Sequence, residues 1–266
     1  MSNSDVRSLT IGTSSAARPI AVRVQEGGGP GLFWLGGFHS DMKGTKAEAL
    51  ARWAQERGRA CVRFDYSGHG ESGGSIVDGT IGRWLEEARA VFGSFCRGPQ
   101  VVVGSSMGGW MALLLARALR QKAAQPEEPA PPSPALSIAG LVLIAPAVDF
   151  TEVLMWQKFP RTVQREIEQK GAWQRPSAYS SEPYLITRTL IEEGRRHLLL
   201  GDMIEPGCPV RILHGVKDPD VPWTHAAELV TRIARDDVVF TLVKDGDHRL
   251  SRPEDIERML AAVAEF

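Results

Sequence analysis

A five-residue segment, Gly-Ser-Ser-Met-Gly at 104–108, places Ser106 two residues from a glycine on either side. An apolar, strand-like run precedes Ser106 and an apolar helical pattern follows it, which is the context of a nucleophilic serine on a tight strand-to-helix turn. A second match to the same pattern surrounds Ser72, in a glycine-rich stretch with no helical pattern behind it. We therefore predict that Ser106 is a nucleophile and that Ser72 is an ordinary loop residue.

A serine hydroxyl becomes an effective nucleophile only when a base accepts its proton. Two later segments can supply a base and the acid that orients it. Asp218 follows the strand-like run 210–213, and His248 follows the run 238–243. Side chains directly after the strands of a parallel sheet meet at the same edge, so we predict that Ser106, Asp218 and His248 form a catalytic triad.

Other acids and histidines compete for these two roles. Asp218 directly follows the turn after its strand, which favours it over the other aspartates nearby: Asp220, Asp245 and Asp247. Four further histidines fit structural, packing or surface positions better than a catalytic one: His69, His197, His214 and His225. His39 precedes the nucleophile along the chain, so we consider it for substrate contact only.

A tetrahedral intermediate of acyl transfer needs N–H donors that are already in place for its oxyanion. The first candidate is the backbone N–H of Met107, directly after the nucleophile. The second is the backbone N–H of Phe38, because Gly36 and Gly37 follow an early strand and allow its loop to approach the substrate. An ordinary turn at these two glycines is the alternative.

Apolar runs alternate with longer helical patterns along most of the chain. The runs interpreted as strands are 20–24, 32–35, 60–64, 101–103, 141–144, 210–213 and 238–243. The helical patterns are 45–57, 80–95, 107–119, 224–233 and 253–266. Most strand runs are continuously apolar, which indicates strands covered on both faces. We predict an α/β fold with a mainly parallel, doubly wound sheet and helices on both faces.

Two segments interrupt this alternation. Residues 123–135 are rich in Pro, Ala and Glu, and are interpreted as a surface loop, with a domain linker as the alternative. Residues 147–207 form a cap inserted before the acid-bearing strand, so that 1–146 and 208–266 make up the core. Aromatic and apolar side chains of this cap can face a substrate or form the cap's own core. The candidates for substrate contact are His39, Met155, Trp156 and Phe159.

The composition narrows the classes of protein. The chain has 266 residues with 31 Lys and Arg against 32 Asp and Glu, a net charge of −1 that gives no general attraction to nucleic acid. Three cysteines without a CxxC pair favour a reducing compartment and buried apolar positions. The first eighteen residues lack the apolar region of a secretory signal, and no stretch is long and apolar enough to span a membrane. We expect a cytoplasmic protein.

Several of these motifs together resemble the α/β-hydrolase superfamily, from about residue 31 to the end of the chain. The resemblance is closest to the branch of mitochondrial palmitoyl-protein thioesterases and acyl-glucuronide esterases with their bacterial relatives. It rests on the stretches RFDYSGHGESGG, GSSMGGWMALLLA, LHGVKDPDVPW and DGDHRLS, and on the cap stretch 159–184. It implies the same triad of Ser106, Asp218 and His248 with oxyanion donors on Phe38 and Met107. The cap match implies thioesters or activated acyl esters as substrates.

We therefore expect a serine hydrolase that cleaves carboxylic esters or thioesters through an acyl-enzyme on Ser106. No cofactor and no metal are expected, since the sequence has no metal-ligand motif such as HExxH. The expected partner is a small-molecule or acylated substrate, without nucleic acid or a membrane span, and the oligomeric state is left open. Two alternatives keep the fold: an amidase or peptidase with the same triad, and a non-catalytic protein that binds ligands.

Overall fold

A computed structural model describes residues 5–123, 135–176, 183–234 and 237–266. Its strands are β1 (Asp5–Ile11), β2 (Arg18–Gln25), β3 (Gly28–Leu35), β4 (Arg59–Phe64), β5 (Pro99–Ser105), β6 (Ser137–Ile144), β7 (Ala172–Arg175), β8 (Tyr184–Thr187), β9 (Val210–Gly215) and β10 (Val238–Val243). Its helices are α1 (Thr45–Glu56), α2 (Ile81–Phe95), α3 (Met107–Ala123), α4 (Arg161–Lys170), α5 (Arg188–Gly194), α6 (Trp223–Arg232) and α7 (Pro253–Ala264).

Eight strands form the central sheet in the order β1-β2-β4-β3-β5-β6-β9-β10. Six strands of this sheet are parallel to one another: β4, β3, β5, β6, β9 and β10. At the edge beside β4, β2 is antiparallel to β4, and β1 is antiparallel to β2. β3 and β5 lie in the middle of the sheet, where most of their residues are buried and most of the buried side chains are apolar. The mainly parallel α/β sheet predicted from the sequence is confirmed.

Helices cover both faces of this sheet, and each face has its own apolar core. Side chains of α2, α3 and α6 pack with one face, including the fully buried Trp84 and Trp110. Side chains of α1 and α7 pack with the other face, including Leu50 and Met259. The three cysteines are buried without disulfides. Burial of this much apolar surface on both faces stabilises the strand ends that carry the candidate site.

The segment between β6 and β9 contains most of the structure that lies outside the α/β alternation. It comprises a π-helical turn at Thr151–Met155, the helices α4 and α5, and the two-stranded antiparallel sheet of β7 and β8. Its two ends are joined by Asp149, whose buried carboxylate accepts hydrogen bonds from the N–H groups of Leu199 and Leu200. The division into core and cap remains a prediction.

Other features differ from the expectations or fall outside the described residues. The first strand, β1, was not predicted, because its alternating and half-exposed pattern in a Ser- and Thr-rich stretch gives a weak signal. The Pro-rich loop predicted at 123–135 lies almost entirely outside the described residues. Within the described ranges, no helix combines the length and the apolar character that a membrane span requires.

Candidate active site

Ser106 lies on a sharp turn between β5 and α3. Its backbone has a φ of 56°, in the left-handed region that residues other than glycine seldom adopt. The turn is held by hydrogen bonds from the Ser106 N–H to the Ile144 carbonyl, at 2.8 Å, and from the Gly109 N–H to the Ser106 carbonyl, at 2.9 Å. A non-glycine residue in a strained conformation, fixed by its surroundings, is typical of a functional position.

The two glycines of the motif are required by space. A Cβ atom at Gly104 would lie 2.3 Å from the Gly108 carbonyl oxygen, and one at Gly108 would lie 2.0 Å from the Leu35 carbonyl oxygen. Both contacts are with backbone, which cannot rotate away as a side chain can. The Gly-x-Ser-x-Gly pattern therefore reports the close crossing of α3 over β3 and β5.

Substitution of Gly108 by Ala is expected to destabilise the fold by about 1–3 kcal/mol, because the overpacking against Leu35 exceeds the helix-propensity gain of about 1 kcal/mol. The matched control is Gly93→Ala in α2, where an added Cβ meets no atom within 4 Å and stability should rise. Thermal unfolding of both variants tests this contrast. Equal Tm changes for the two substitutions would contradict the argument from the crossing of α3.

His248 connects the other two predicted residues. Its Nδ1 lies 2.7 Å from Asp218 Oδ2, and its Nε2 lies 3.1 Å from Ser106 Oγ. The carboxylate can only accept a hydrogen bond, so Nδ1 carries the hydrogen and Nε2 of the neutral ring is free to accept the serine proton. The three side chains thus form a continuous hydrogen-bonded chain across 142 residues of sequence.

Asp218 is held by an unusually complete set of donors. Its Oδ1 accepts hydrogen bonds from the N–H groups of Asp220 and Val221, both at 2.9 Å, while Oδ2 faces His248 and His214. Burial alone would raise the pKa of this carboxyl, but the hydrogen bonds from the two histidines outweigh burial and hold the pKa well below its ordinary value. The carboxylate is therefore ionised at neutral pH and fixed in orientation.

The competing residues have other partners. Ser72 Oγ donates to the Asp65 carbonyl at 2.6 Å and accepts from the Ala21 N–H at 2.8 Å, which holds the loop 66–74 against β2. Asp245 pairs with Arg252 at 2.7 Å. The remaining acids and histidines are engaged as follows: Asp247 with the N–H groups of Arg249 and Leu250, His69 with the Ser67 carbonyl, His197 with Glu193, His214 with the Val221 carbonyl, and His225 with the Val148 carbonyl.

The predicted oxyanion donors lie on either side of Ser106. Met107 is the first residue of α3, where backbone N–H groups lack partners within the helix. The loop of Phe38 approaches closely, since a Cβ atom at Gly37 would lie 3.3 Å from Ser106 Cβ. In the described part of the chain, neither Phe38 nor Met107 donates its N–H to a backbone or side-chain acceptor. Their role as oxyanion donors remains a prediction.

A cavity of about 430 Å³ opens beside Ser106 and His248. Of the residues predicted to contact substrate, His39 and Met155 line it. Trp156 and Phe159 are not among its lining residues, and their rings contact other side chains. Their contact with a substrate remains a prediction. The Arg195 guanidinium lies 5.3 Å from the Trp156 ring centre, and Phe159 packs edge-to-face on Trp173 at 5.2 Å.

Several other side chains of the cavity were not predicted. Tyr184 of β8 stacks on His39 at 4.3 Å between ring centres, which joins the loop of Phe38 and His39 to the inserted segment. Lys46 at the start of α1 donates hydrogen bonds to the Arg249 carbonyl and to Ser251 Oγ, and burial lowers its pKa to about 8. The further lining residues include Trp34, Phe150, Leu154 and Arg175. The catalytic candidates could be predicted because each follows a strand directly. The other cavity-lining residues carry no such signal in the sequence.

Three side chains with potential metal-ligand atoms also lie at this site. Among the residues that the structure describes, Asp218, Asp220 and His248 bring three potential ligand atoms within 4.8 Å of one another. Two of these residues already share the hydrogen bond between Asp218 Oδ2 and His248 Nδ1. The cluster coincides with the proposed triad and does not define a second site.

Comparison with known proteins decides the family. The α/β hydrolase family matches residues 27–265. The chain belongs to this α/β hydrolase family. A putative hydrolase from Agrobacterium vitis S4 has a similar structure, with a TM-score of 0.92, 46% identity and 98% of both chains covered. The α/β hydrolase domain-containing protein 10 from mouse gives a TM-score of 0.81 and 34% identity, covering 98% of this chain and 97% of that one.

Relatives with assigned names agree with the branch expected from the motifs. The human protein named mitochondrial palmitoyl-protein thioesterase ABHD10 is 36% identical to this α/β hydrolase over 92% of the chain and 75% of the relative. The bovine protein of that name gives the same values. Because these relatives are named as mitochondrial, the prediction of a cytoplasmic location is wrong. Sparse cysteines favour a reducing compartment but do not distinguish the cytoplasm from an organelle.

Proposed function

We propose that this α/β hydrolase cleaves carboxylic esters or thioesters through an acyl-enzyme on Ser106. The observation that carries the proposal is the chain of hydrogen bonds from Ser106 Oγ through His248 to Asp218, with distances of 3.1 and 2.7 Å. It is open on one side to the cavity, where an acyl group can reach the serine. The palmitoyl-protein thioesterases among the relatives support an acyl ester or thioester as the substrate class.

Acylation begins when Ser106 Oγ attacks the acyl carbon and His248 Nε2 accepts the hydroxyl proton. The former carbonyl oxygen becomes an oxyanion, to which the N–H groups of Phe38 and Met107 donate. Asp218 stabilises the imidazolium and keeps its orientation. When the bond to the leaving group breaks, His248 returns the proton to the departing alcohol or thiol, and the acyl group stays on Ser106 as an ester.

Deacylation repeats these steps with water in place of the serine. His248 Nε2 accepts a proton from a water molecule as the water oxygen attacks the acyl carbon. The same two N–H groups stabilise the second oxyanion. Collapse of this intermediate breaks the ester bond, the proton passes to Ser106 Oγ, and the carboxylic acid leaves. No oxidant, reductant or cofactor is needed for the balance of this reaction.

Apolar and aromatic side chains form part of the cavity lining, where we expect the acyl group to bind. Phe38, Phe150, Leu154, Met155 and Tyr184 line this part. Phe150 and Met155 are buried, so neighbouring side chains already hold these two lining residues in place before a substrate binds. Each methylene that enters such a surface contributes about 0.8 kcal/mol.

A series of acyl thioesters and matched oxyesters of increasing chain length tests the proposal. We expect kcat/KM to rise by about fourfold for each added methylene until the apolar side is filled, since 0.8 kcal/mol corresponds to that factor at 25 °C. Thioesters should be cleaved at least as well as oxyesters of the same acyl chain. The measurement is initial rate against substrate concentration below the critical micelle concentration of each substrate.

Anilides with the same acyl chains are the comparison that separates this proposal from amide cleavage. The amine leaving group must be protonated before it departs, so a site suited to esters should cleave anilides far more slowly. Faster cleavage of the anilide than of its ester, or a flat dependence on chain length, would contradict the proposed substrate class. Ser106→Ala protein gives the background rate for each substrate.

A further inference from the structure

The end of β9 carries a second histidine beside the proposed catalytic acid. The side chain of His214 is fully buried, with no solvent exposure. Its Nε2 lies 2.9 Å from the Val221 carbonyl oxygen and 3.3 Å from Asp218 Oδ2. A carbonyl oxygen can only accept, so Nε2 carries the hydrogen and the ring donates. Among the described residues, Nδ1 has no hydrogen-bond partner, so all polar contacts of this ring go through Nε2.

These contacts close a small ring around the acid-bearing turn 215–221. His214 donates to the Val221 carbonyl, the Val221 N–H donates to Asp218 Oδ1 at 2.9 Å, and Asp218 Oδ2 faces His214 again. The shorter contact is the one to Val221, so the N–H points mainly at this carbonyl. Asp218 Oδ2 accepts the longer and weaker branch of the same hydrogen bond. The histidine therefore restrains both the turn and the carboxylate that the turn carries.

His214 has no direct access to a substrate. His214 does not line the cavity, and Asp218 lies between His214 and His248. The Asp218 Oδ2 atom that faces His214 also accepts the hydrogen bond from His248, at 2.7 Å. A buried imidazole without a role at this point would be replaceable by an apolar side chain that fills the same space. Its single N–H, aimed at two acceptors of the acid-bearing turn, distinguishes it from such a filler.

We propose that His214 is a positioning residue that fixes the orientation of Asp218 toward His248 by donating its Nε2–H to Val221 and Asp218. This inference rests on the proposed function. Without the donor, the turn keeps the two hydrogen bonds to Asp218 Oδ1, but Oδ2 loses a neighbour that restricts its rotation. His248 is then held less firmly in the geometry that accepts the Ser106 proton. The loss acts on the chemical steps, while the cavity that binds the acyl group is unchanged.

Two substitutions of similar shape separate the hydrogen bond from the packing. His214→Gln places an amide N–H near the position of Nε2, whereas His214→Met fills similar space without a donor. We expect His214→Met to lower kcat by about tenfold, which is the lower end of the loss typical when an outer hydrogen-bond partner of a metal-ligating side chain is removed, with KM changed less than about twofold. His214→Gln should recover most of kcat. Rates are expressed per active site, titrated with a fluorophosphonate, and folding is checked by thermal unfolding.

A control variant addresses the general cost of losing a buried imidazole. His225 is also buried and its Nε2 lies 2.8 Å from the Val148 carbonyl, but Asp218 is not among its hydrogen-bond partners. His225→Met should lower Tm and leave kcat per active site near that of the unmodified protein. If His214→Met does not fold, His214→Asn replaces it, because its shorter amide cannot reach the position of Nε2 and should behave like Met.

The outcomes decide between the alternatives. Equal kcat for the Gln variant and the donor-lacking variant, whether both are high or both are low, overturns the inference while leaving the proposed function intact. A fall in kcat for His225→Met as large as for His214→Met also overturns it. If the unmodified protein neither reacts with the fluorophosphonate nor cleaves esters, the proposed function fails and the inference fails with it. Recovery by Gln alone supports the positioning role.

Discussion

Replacement of Ser106 by Ala is expected to lower kcat for acyl esters by about five orders of magnitude, because loss of a serine nucleophile leaves only the oxyanion donors and substrate binding. Ser106 Oγ lies 3.1 Å from His248 Nε2, so the variant removes the proposed nucleophilic atom together with the proton that His248 is proposed to accept. The fold should be preserved, since the hydroxyl's only described partner is His248. The measurement is p-nitrophenyl ester turnover in the steady state.

Ser72→Ala is the matched control, since it changes the other serine that fits the same pattern. Ser72 Oγ makes two hydrogen bonds, to the Asp65 carbonyl and from the Ala21 N–H, so its removal should lower the free energy of unfolding by about 1–3 kcal/mol. Activity per folded molecule should remain. Ser106→Ala should therefore lose activity but keep its stability, whereas Ser72→Ala should lose stability but keep its activity. Full activity of Ser106→Ala would refute the proposed nucleophile.

The arrangement of the site was largely accessible from the sequence because it depends on strand ends. Ser106, Asp218 and His248 each follow an apolar strand, and β5, β9 and β10 lie in one mainly parallel sheet. Parallel strands that end at one edge bring such residues together whatever the sequence distance between them. The choice of Ser106 over Ser72 followed from the same rule, since only Ser106 lies directly between a strand and a helix.

Side-chain contacts inside the inserted segment were not accessible in this way. Residue type alone suggested that Trp156 and Phe159 contact a substrate. In the structure the Trp156 ring contacts the Arg195 guanidinium, and the Phe159 ring packs against Trp173. Which aromatic side chains of the inserted segment face the cavity depends on the rotation of short helical turns and on contacts with residues far along the chain. Tyr184 reaches the cavity because β8 places it over His39, a contact that no periodicity indicates.

His214 illustrates a different limit. Its position inside an apolar strand predicts a structural role, and the strand is observed. The contact with Asp218 arises because the turn after β9 folds back, so that Val221 and Asp218 both come within 3.3 Å of one ring nitrogen. Sequence spacing of four residues does not reveal this return of the chain. Only the geometry of the turn connects the buried histidine with the proposed chemistry.

Substitution of Asp218 by Asn is expected to reduce kcat by about 10⁴-fold with little loss of substrate binding. The carboxylate accepts from N–H groups on both oxygens: Asp220 and Val221 on Oδ1, His248 and His214 on Oδ2. The Asn side chain has one acceptor atom, its oxygen, where the carboxylate has two. The two backbone N–H groups can only donate, so they require this oxygen as their acceptor. The carboxamide oxygen should therefore face the backbone, and its NH₂ group should face His248.

That orientation reverses the hydrogen bonding of the base. His248 Nδ1 must then accept from the Asn amide, so its ring hydrogen moves to Nε2, which points at Ser106 and can no longer take the serine proton. Steady-state kcat with a p-nitrophenyl ester measures the loss. Asp245→Asn is the control, because its carboxylate pairs with Arg252 at the surface and should leave kcat within about twofold. A comparable fall for both variants would mean that Asp218 acts through general charge instead of through the tautomer of His248.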